Sequence, residues 1–205
     1  MKKKIKYSFF IICLTMFILL SILVINKRDF IVDSFIYGSI ESLINKKTTS
    51  IVKVLTYFGS AYPFILLIVL SLFLKDKKYF KYLSINLILI TVLNITMKSL
   101  FARPRPLDIS LVEETGYSFP SGHSLTSMAF YGLLIYLITT SNLSRKLKII
   151  LNIILSLLIL IVGLSRIYLG VHYFTDVIGG FLLAIIYLII FISVLENKKV
   201  TFLKV

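Results

Sequence analysis

Cysteine, charge and histidine are all scarce in this chain, and each scarcity narrows what the protein does. Cys13 is the only cysteine and sits in a hydrophobic run. An intramolecular disulfide is therefore excluded, and a thiolate metal site has no second ligand. Charged residues make up 16% of the sequence, well below the quarter or so of a soluble domain. Only nine residues are acidic, and they form no cluster suited to a hard metal ion. No internal repeat and no low-complexity linker is visible.

What is abundant is apolar sequence. Hydrophobic residues reach 58% and the mean hydropathy is +0.96. They gather in blocks near the roughly 20 residues that cross a bilayer as a helix, with the charges between the blocks. The pattern predicts one membrane domain over residues 1–205, all-α, a six-transmembrane-helix bundle. The predicted spans are 8–25, 55–74, 79–101, 121–140, 148–165 and 177–195. The lysine-rich start followed by an apolar run has the outline of a secretory signal. The run is long for one, though, and Asn26-Lys27-Arg28 follows it in place of a small-residue cleavage site. It reads as an uncleaved first span. Residues 29–45 carry Val32, Ile36, Ile40 and Leu43/Ile44 at helical spacing, with Asp29 placed to cap the start. A helix lying in the membrane interface is expected there.

The formal net charge is +14. In a soluble chain that excess would suggest nucleic acid. Here the lysines flank hydrophobic segments, so they fit membrane lipids with anionic headgroups and argue against nucleic acid. Six spans place both termini on one side. Fourteen lysines and arginines then fall on that side and nine on the other, which puts both termini in the cytoplasm.

Ionisable groups at membrane depth demand an explanation. Three clusters of them fall at the outer ends of spans. Lys98-Ser-Leu-Phe-Ala-Arg103-Pro104-Arg105-Pro106 closes the third span, and its Arg-Pro pairs force a turn with three cations close together. Taken alone, it also fits a snorkelling lysine and a basic loop end. Phe119-Pro120-Ser121-Gly122-His123 opens the fourth span. A helix N-terminus offers free N–H groups and the positive dipole end to a phosphate, and Gly122 removes bulk beside it; a plain capped helix is the alternative. Ser165-Arg166 and His172-Tyr-Phe-Thr-Asp176 lead into the sixth span. If that stretch is helical, His172 and Asp176 share a face and can hydrogen-bond. A carboxylate on one imidazole nitrogen fixes the tautomer and frees the other to attack. The two histidines of the chain both lie in these clusters.

Together the clusters resemble the signature of the type-2 phosphatidic acid phosphatase family, which shares its fold with vanadium haloperoxidases. Six residues separate Lys98 from Arg105-Pro106, Pro120-Ser121-Gly122-His123 matches in full, and Ser165-Arg166, His172 and Asp176 keep the family's spacing. The resemblance implies an acid phosphatase/vanadium haloperoxidase-like bundle and a phosphatase with defined roles. His172 would attack phosphorus and form a phosphohistidine, Asp176 would hold its imidazole, and His123 would protonate the leaving oxygen. Lys98, Arg105, Arg166, Ser121 and the Gly122 amide would bind phosphoryl oxygens. Three cations and a helix N-terminus can supply the charge stabilisation that phosphoryl transfer needs, so no cofactor and no metal is expected.

The expected substrate is a lipid phosphate at the outer face, with undecaprenyl diphosphate first, then phosphatidylglycerol phosphate or phosphatidic acid. A phosphotransferase on a lipid acceptor and a non-enzymatic lipid-binding protein on the same fold are the alternatives. A soluble haloperoxidase does not fit so apolar a chain. Arg103 receives no catalytic role, and contact with a second phosphate or a headgroup stays open for it. The loop 107–119 is either a cover over the site or a plain connection. Ser124, Thr126 and Ser127 are expected to face the bundle, and Gly179 and Gly180 to serve helix packing.

Overall fold

The computed structural model describes residues 3–26, 30–106 and 110–202. The helices among them are α1 (Lys3–Ile25), α2 (Ile31–Glu41), α3 (Lys46–Tyr57), α4 (Ala61–Ser71), α5 (Lys78–Phe101), α6 (Gly122–Thr139), α7 (Arg145–Tyr168) and α8 (Phe174–Phe202). The all-helical bundle is as expected, but the simple count of six spans is not. Helices α1, α5, α7 and α8 are long and apolar enough to cross a membrane. The span expected over 55–74 is a pair, α3 and α4, bent by 42° at residues 58–60. It starts earlier than expected because Asn45 caps α3, accepting from the Lys47 and Thr48 amides in a reciprocal capping box with Thr48. The fourth expected span, α6, has 18 residues, and its first third is polar because it faces the other helices.

α6 is the axis of the bundle. It packs against α8, α7 and α5, while α1 lies on α8, α3 on α7 and α4 on α5. Leu125, Ala129, Phe130 and Leu133 of α6 are fully buried. α7 by contrast shows lipid a stripe of Ile150, Ile153, Ile154, Leu157, Leu160, Ile161 and Leu164, recurring at the three-and-four spacing of one helix face. Lipid is as apolar as these side chains, so close packing and buried hydrogen bonds hold the helices together. Tyr131 donates to the Phe58 carbonyl at 2.7 Å, tying α6 to the bend after α3. At the other end, Lys6 of α1 meets Glu196 of α8 at 3.2 Å.

The helix expected over 29–45 is present as α2, shorter than predicted; Asp29 lies outside the described residues. Its face differs from the apolar stripe read from the sequence. Asp33 is the one buried residue of α2, with Ile36, Tyr37 and Ile40 half-buried beside it. Val32 is turned out, and Ile31 and Phe35 are 88% and 71% exposed. A charge and its partners set the rotation of this helix, and hydrophobic periodicity does not report charges.

Two close approaches bring the polar ends of the helices together. α8 crosses α6 where Gly180 faces the Ser121 carbonyl. A Cβ at Gly180 would stand 2.8 Å from that oxygen and 3.1 Å from the Leu125 nitrogen. Gly179 presses equally closely on the Phe119 ring, so both glycines serve packing. The atoms opposing Gly180 are backbone, which no rotamer change can move aside. Gly180→Val is therefore expected to lower the melting midpoint in detergent micelles by the equivalent of about 1–3 kcal/mol. Gly38→Ala, inside α2 with nothing within 4 Å, should not lower it and should raise it by the equivalent of about 0.5–1 kcal/mol.

Candidate active site

The site lies where the C-terminal ends of α5 and α7 meet the N-terminal ends of α6 and α8. The chain leaves α5 through Ala102, which adopts a left-handed φ of 45°. For a residue with a Cβ that conformation costs roughly 1–2 kcal/mol. It turns the backbone sharply, so that Arg103 and Arg105 reach two different places. The peptide between Phe119 and Pro120 is cis, and Ser121 then begins α6 in an extended conformation.

A cavity of about 390 Å³ opens here, lined by Lys98, Arg105, Gly122, His123 and His172, together with Asn94, Glu114 and Thr126. Five of the eight residues singled out in the sequence thus share one cavity. Arg166 is buried at its edge and reaches it through Glu114. Asp176 is fully buried behind His172. Ser121 does not line the cavity: its hydroxyl accepts from Ser124 at 2.9 Å and its amide donates to the Asp176 carbonyl at 3.0 Å. Gly122 faces Asn94, whose Nδ2 would stand 2.9 Å from an added Cβ.

His172 is held between opposite charges. Its Nε2 is 3.2 Å from Arg105 Nη1, and its Nδ1 is 3.4 Å from Asp176 Oδ2. A guanidinium only donates, so Nε2 must present its lone pair and Nδ1 carries the proton. The Nδ1 contact sets the imidazole against the carboxylate without meeting hydrogen-bond geometry, and such contacts commonly tighten only when substrate binds. The shared helix face expected for this pair is not how they meet. His172 lies in the loop before α8, and Asp176 sits in the first turn of α8, where the helix N-terminus favours its negative charge. Asp176 Oδ2 also accepts from the Tyr173 amide at 2.9 Å.

Arg105 knits the loop into the site. It donates to the carbonyls of Gly116 and Thr115, each at 3.0 Å, and of Val171 at 2.9 Å. Lys98 donates to the Tyr117 carbonyl. The described part of the loop, from Ser110, is therefore fastened over the cavity by the phosphate-binding candidates; Leu107, Asp108 and Ile109 lie outside the described residues. Ser118 adds a hydrogen bond to the Pro104 carbonyl at 2.9 Å.

Sequence reasoning gave no role to Glu114, Asn94 or Asp33. Glu114 pairs with Arg166 and lies 3.8 Å from Arg105. Although burial pushes its carboxyl upward, the charge and hydrogen bond of Arg166 hold it below its ordinary value. A phosphoryl group entering this cradle meets an anion already seated. Arg166 Nε keeps no partner, and neither does Asn94 Oδ1. A buried donor of that kind fits an arriving oxyanion. Arg103, left open in the sequence, commits both terminal nitrogens to carboxylates: Nη1 to Asp176 at 2.6 Å and Nη2 to Asp33 at 3.0 Å. Among the described residues, no three His, Cys, Asp or Glu side chains are grouped so as to hold a metal ion.

Comparison with known proteins places this arrangement. The family model described as the PAP2 superfamily matches residues 78–199. Phosphatidylglycerophosphatase B of Bacillus subtilis is 41% identical over 96 residues, 46% of this chain and 47% of that protein. The undecaprenyl-diphosphatase of Sulfolobus acidocaldarius is 35% identical over 136 residues, 63% of this chain and 62% of that protein. The chain thus spans less than two-thirds of the length of these curated relatives. The crystal structure of a transmembrane PAP2-type phosphatidylglycerolphosphate phosphatase from Bacillus subtilis superposes with a TM-score of 0.81 at 26% identity. It covers 92% of this chain and 96% of that one.

Burial lowers the basicity of His172 to about 4, more than the nearby Asp176 raises it. The folded protein therefore leaves this imidazole neutral at pH values where the unfolded chain, near 6.5, takes up a proton. The stability linked to this group is fully present above about 6.5 and is lost as pH falls toward 4. Melting midpoints in micelles should drop across that window, and the drop should be shallower in His172→Gln.

Proposed function

The chain belongs to the PAP2 superfamily, and from that premise we propose that it is an integral-membrane lipid phosphatase working through a phosphohistidine on His172. One observation carries the reading: the Nε2 lone pair of His172 faces a cavity shared with His123, Lys98 and Arg105, while its Nδ1 faces a buried carboxylate. Nε2 attacks phosphorus, the bond from phosphorus to the lipid-side oxygen breaks, and His123 delivers a proton to that oxygen. His123 then takes a proton from water, whose oxygen attacks the phosphohistidine. The P–N bond breaks, its electron pair returns to Nε2, and inorganic phosphate leaves. Lys98, Arg105 and Arg166 neutralise the equatorial oxygens throughout, with the amide end of α6 behind them. Asp176 stabilises the charge the imidazole acquires. These cations supply the charge stabilisation without a metal ion.

The substrate is a lipid phosphomonoester or diphosphate, with undecaprenyl diphosphate and phosphatidylglycerol phosphate the two foremost candidates. Both chemistries occur in the printed names of the relatives. The excess of fourteen basic residues over nine supports cytoplasmic termini and a cavity at the outer face.

Purified protein is expected to release phosphate from one or more members of a lipid panel comprising undecaprenyl diphosphate, phosphatidylglycerol phosphate and phosphatidic acid, and to do so undiminished in EDTA. His172→Ala should abolish release. Asp176→Asn should lower kcat by about 10²–10⁴-fold. Near-normal turnover in either variant would remove the proposed chemistry, and loss of activity in EDTA would remove the metal-free part of it.

A further inference from the structure

Behind the proposed nucleophile runs a ladder of alternating charge, of which the mechanism above uses only Asp176. Asp176 lies next to His172, and Arg103 binds Asp176 Oδ1 at 2.6 Å. Arg103 Nη2 binds Asp33 Oδ2 at 3.0 Å. Asp33 in turn accepts from the Thr175 amide and the Thr175 hydroxyl, each at 2.8 Å, and Arg103 Nη1 reaches the same hydroxyl at 2.8 Å. The Arg103 guanidinium is stacked over the Tyr173 ring, 4.1 Å from its centroid, and Tyr173 supplies the amide that holds Asp176 Oδ2. The side chains of Asp33, Arg103 and Asp176 are 6%, 12% and 0% exposed. Charges so enclosed interact strongly and are weakly screened.

We propose that Arg103 and Asp33 are positioning residues that set the net charge and the orientation of Asp176, and through it the state of His172. This rests on His172 being the nucleophile. With all three groups ionised, the ladder presents one net negative charge to the imidazole. Removing Arg103 raises that to two, removing Asp33 lowers it to zero, and removing both restores one. Without Arg103, Asp176 loses the contact that fixes its carboxylate, and the imidazole it faces is no longer held on line for attack. An Arg103 without Asp33 would weaken the support Asp176 gives the charged imidazole.

His172 is also faced by Arg105 from the segment after α5, Lys98 of α5, His123 of α6, Arg166 of α7 and Glu114 of the intervening loop, and by Tyr37 and Glu41 of α2 across a second cavity. None of these is altered by changing Arg103 or Asp33, so they form a constant background. The two positions are also separate from the phosphate-binding cations, which predicts an effect on kcat with KM little changed.

The chain holds only two histidines, so selective ¹⁵N labelling of the full-length protein in micelles resolves His172 by comparison with a His123→Gln sample. Relative to wild type, Arg103→Gln should move the His172 titration upward by about one unit, and Asp33→Asn should move it downward. The double variant should titrate close to wild type, and Arg103→Lys, which keeps the charge, likewise. In the lipid phosphatase assay each single variant should lose roughly tenfold or more in kcat with KM within about twofold. Unchanged titration in both single variants, shifts of the same sign, or a double variant displaced as far as either single would overturn the proposal. The titration is read without turnover, so an inactive wild type would count against the phosphatase reading and leave this test standing.

Discussion

A carboxylate with no access to solvent must be matched by opposite charge or by N–H groups, and Asp176 is where this molecule meets that demand. Burial of an unpaired ion is among the most unfavourable events in a folded chain. Asp176 escapes it through the N-terminus of α8, the Tyr173 amide, Arg103 and the neighbouring imidazole. Three of these partners are neighbours in sequence, and Arg103 arrives from the far side of the chain. Arg103 requires the left-handed turn at Ala102, and the Ser121 amide, bound to the Asp176 carbonyl, requires α6 to start where it does. Asp176 therefore joins the ends of three helices, its carboxylate to the segment after α5 and its carbonyl to the start of α6, and α2 joins through Asp33.

The packing below the site serves the same end. Gly180 lets α8 approach the first turn of α6 closely enough that the helix end presented to the cavity and the helix end holding Asp176 become one unit. α6 is accordingly enclosed on most sides, while α7 turns an unbroken apolar stripe to lipid. The helices that meet at the site all carry polar ends and differ along their lengths: α6 buries its apolar side chains, while α7 buries its polar end and turns its apolar face outward.

Most of the candidate site was legible in the sequence because its residues are anomalous there. Lys98, Arg105, His123, Arg166, His172 and Asp176 interrupt apolar segments, and in a membrane an interruption needs a reason. Glu114 and Asp33 went unread because they occupy stretches where acidic residues are ordinary, a loop and the first turn of a surface helix. Their importance comes only from the guanidinium groups that long-range folding brings to them. Helix existence was equally legible, and helix direction was not. Hydropathy marks 55–74 as apolar but carries no trace of the 42° bend between α3 and α4. Periodicity found α2 yet misjudged its rotation, since one buried ion pair outweighs several half-buried aliphatic contacts.

α2 shows lipid its Ile31 and Phe35 while handing Asp33 to the interior. One short helix thus joins the exterior of the bundle to its most enclosed ion pair: Asp33 holds Arg103, and Arg103 holds Asp176. A change in what touches Ile31 and Phe35 is felt first at that ion pair, since Asp33 lies two residues from each of them on the same short helix.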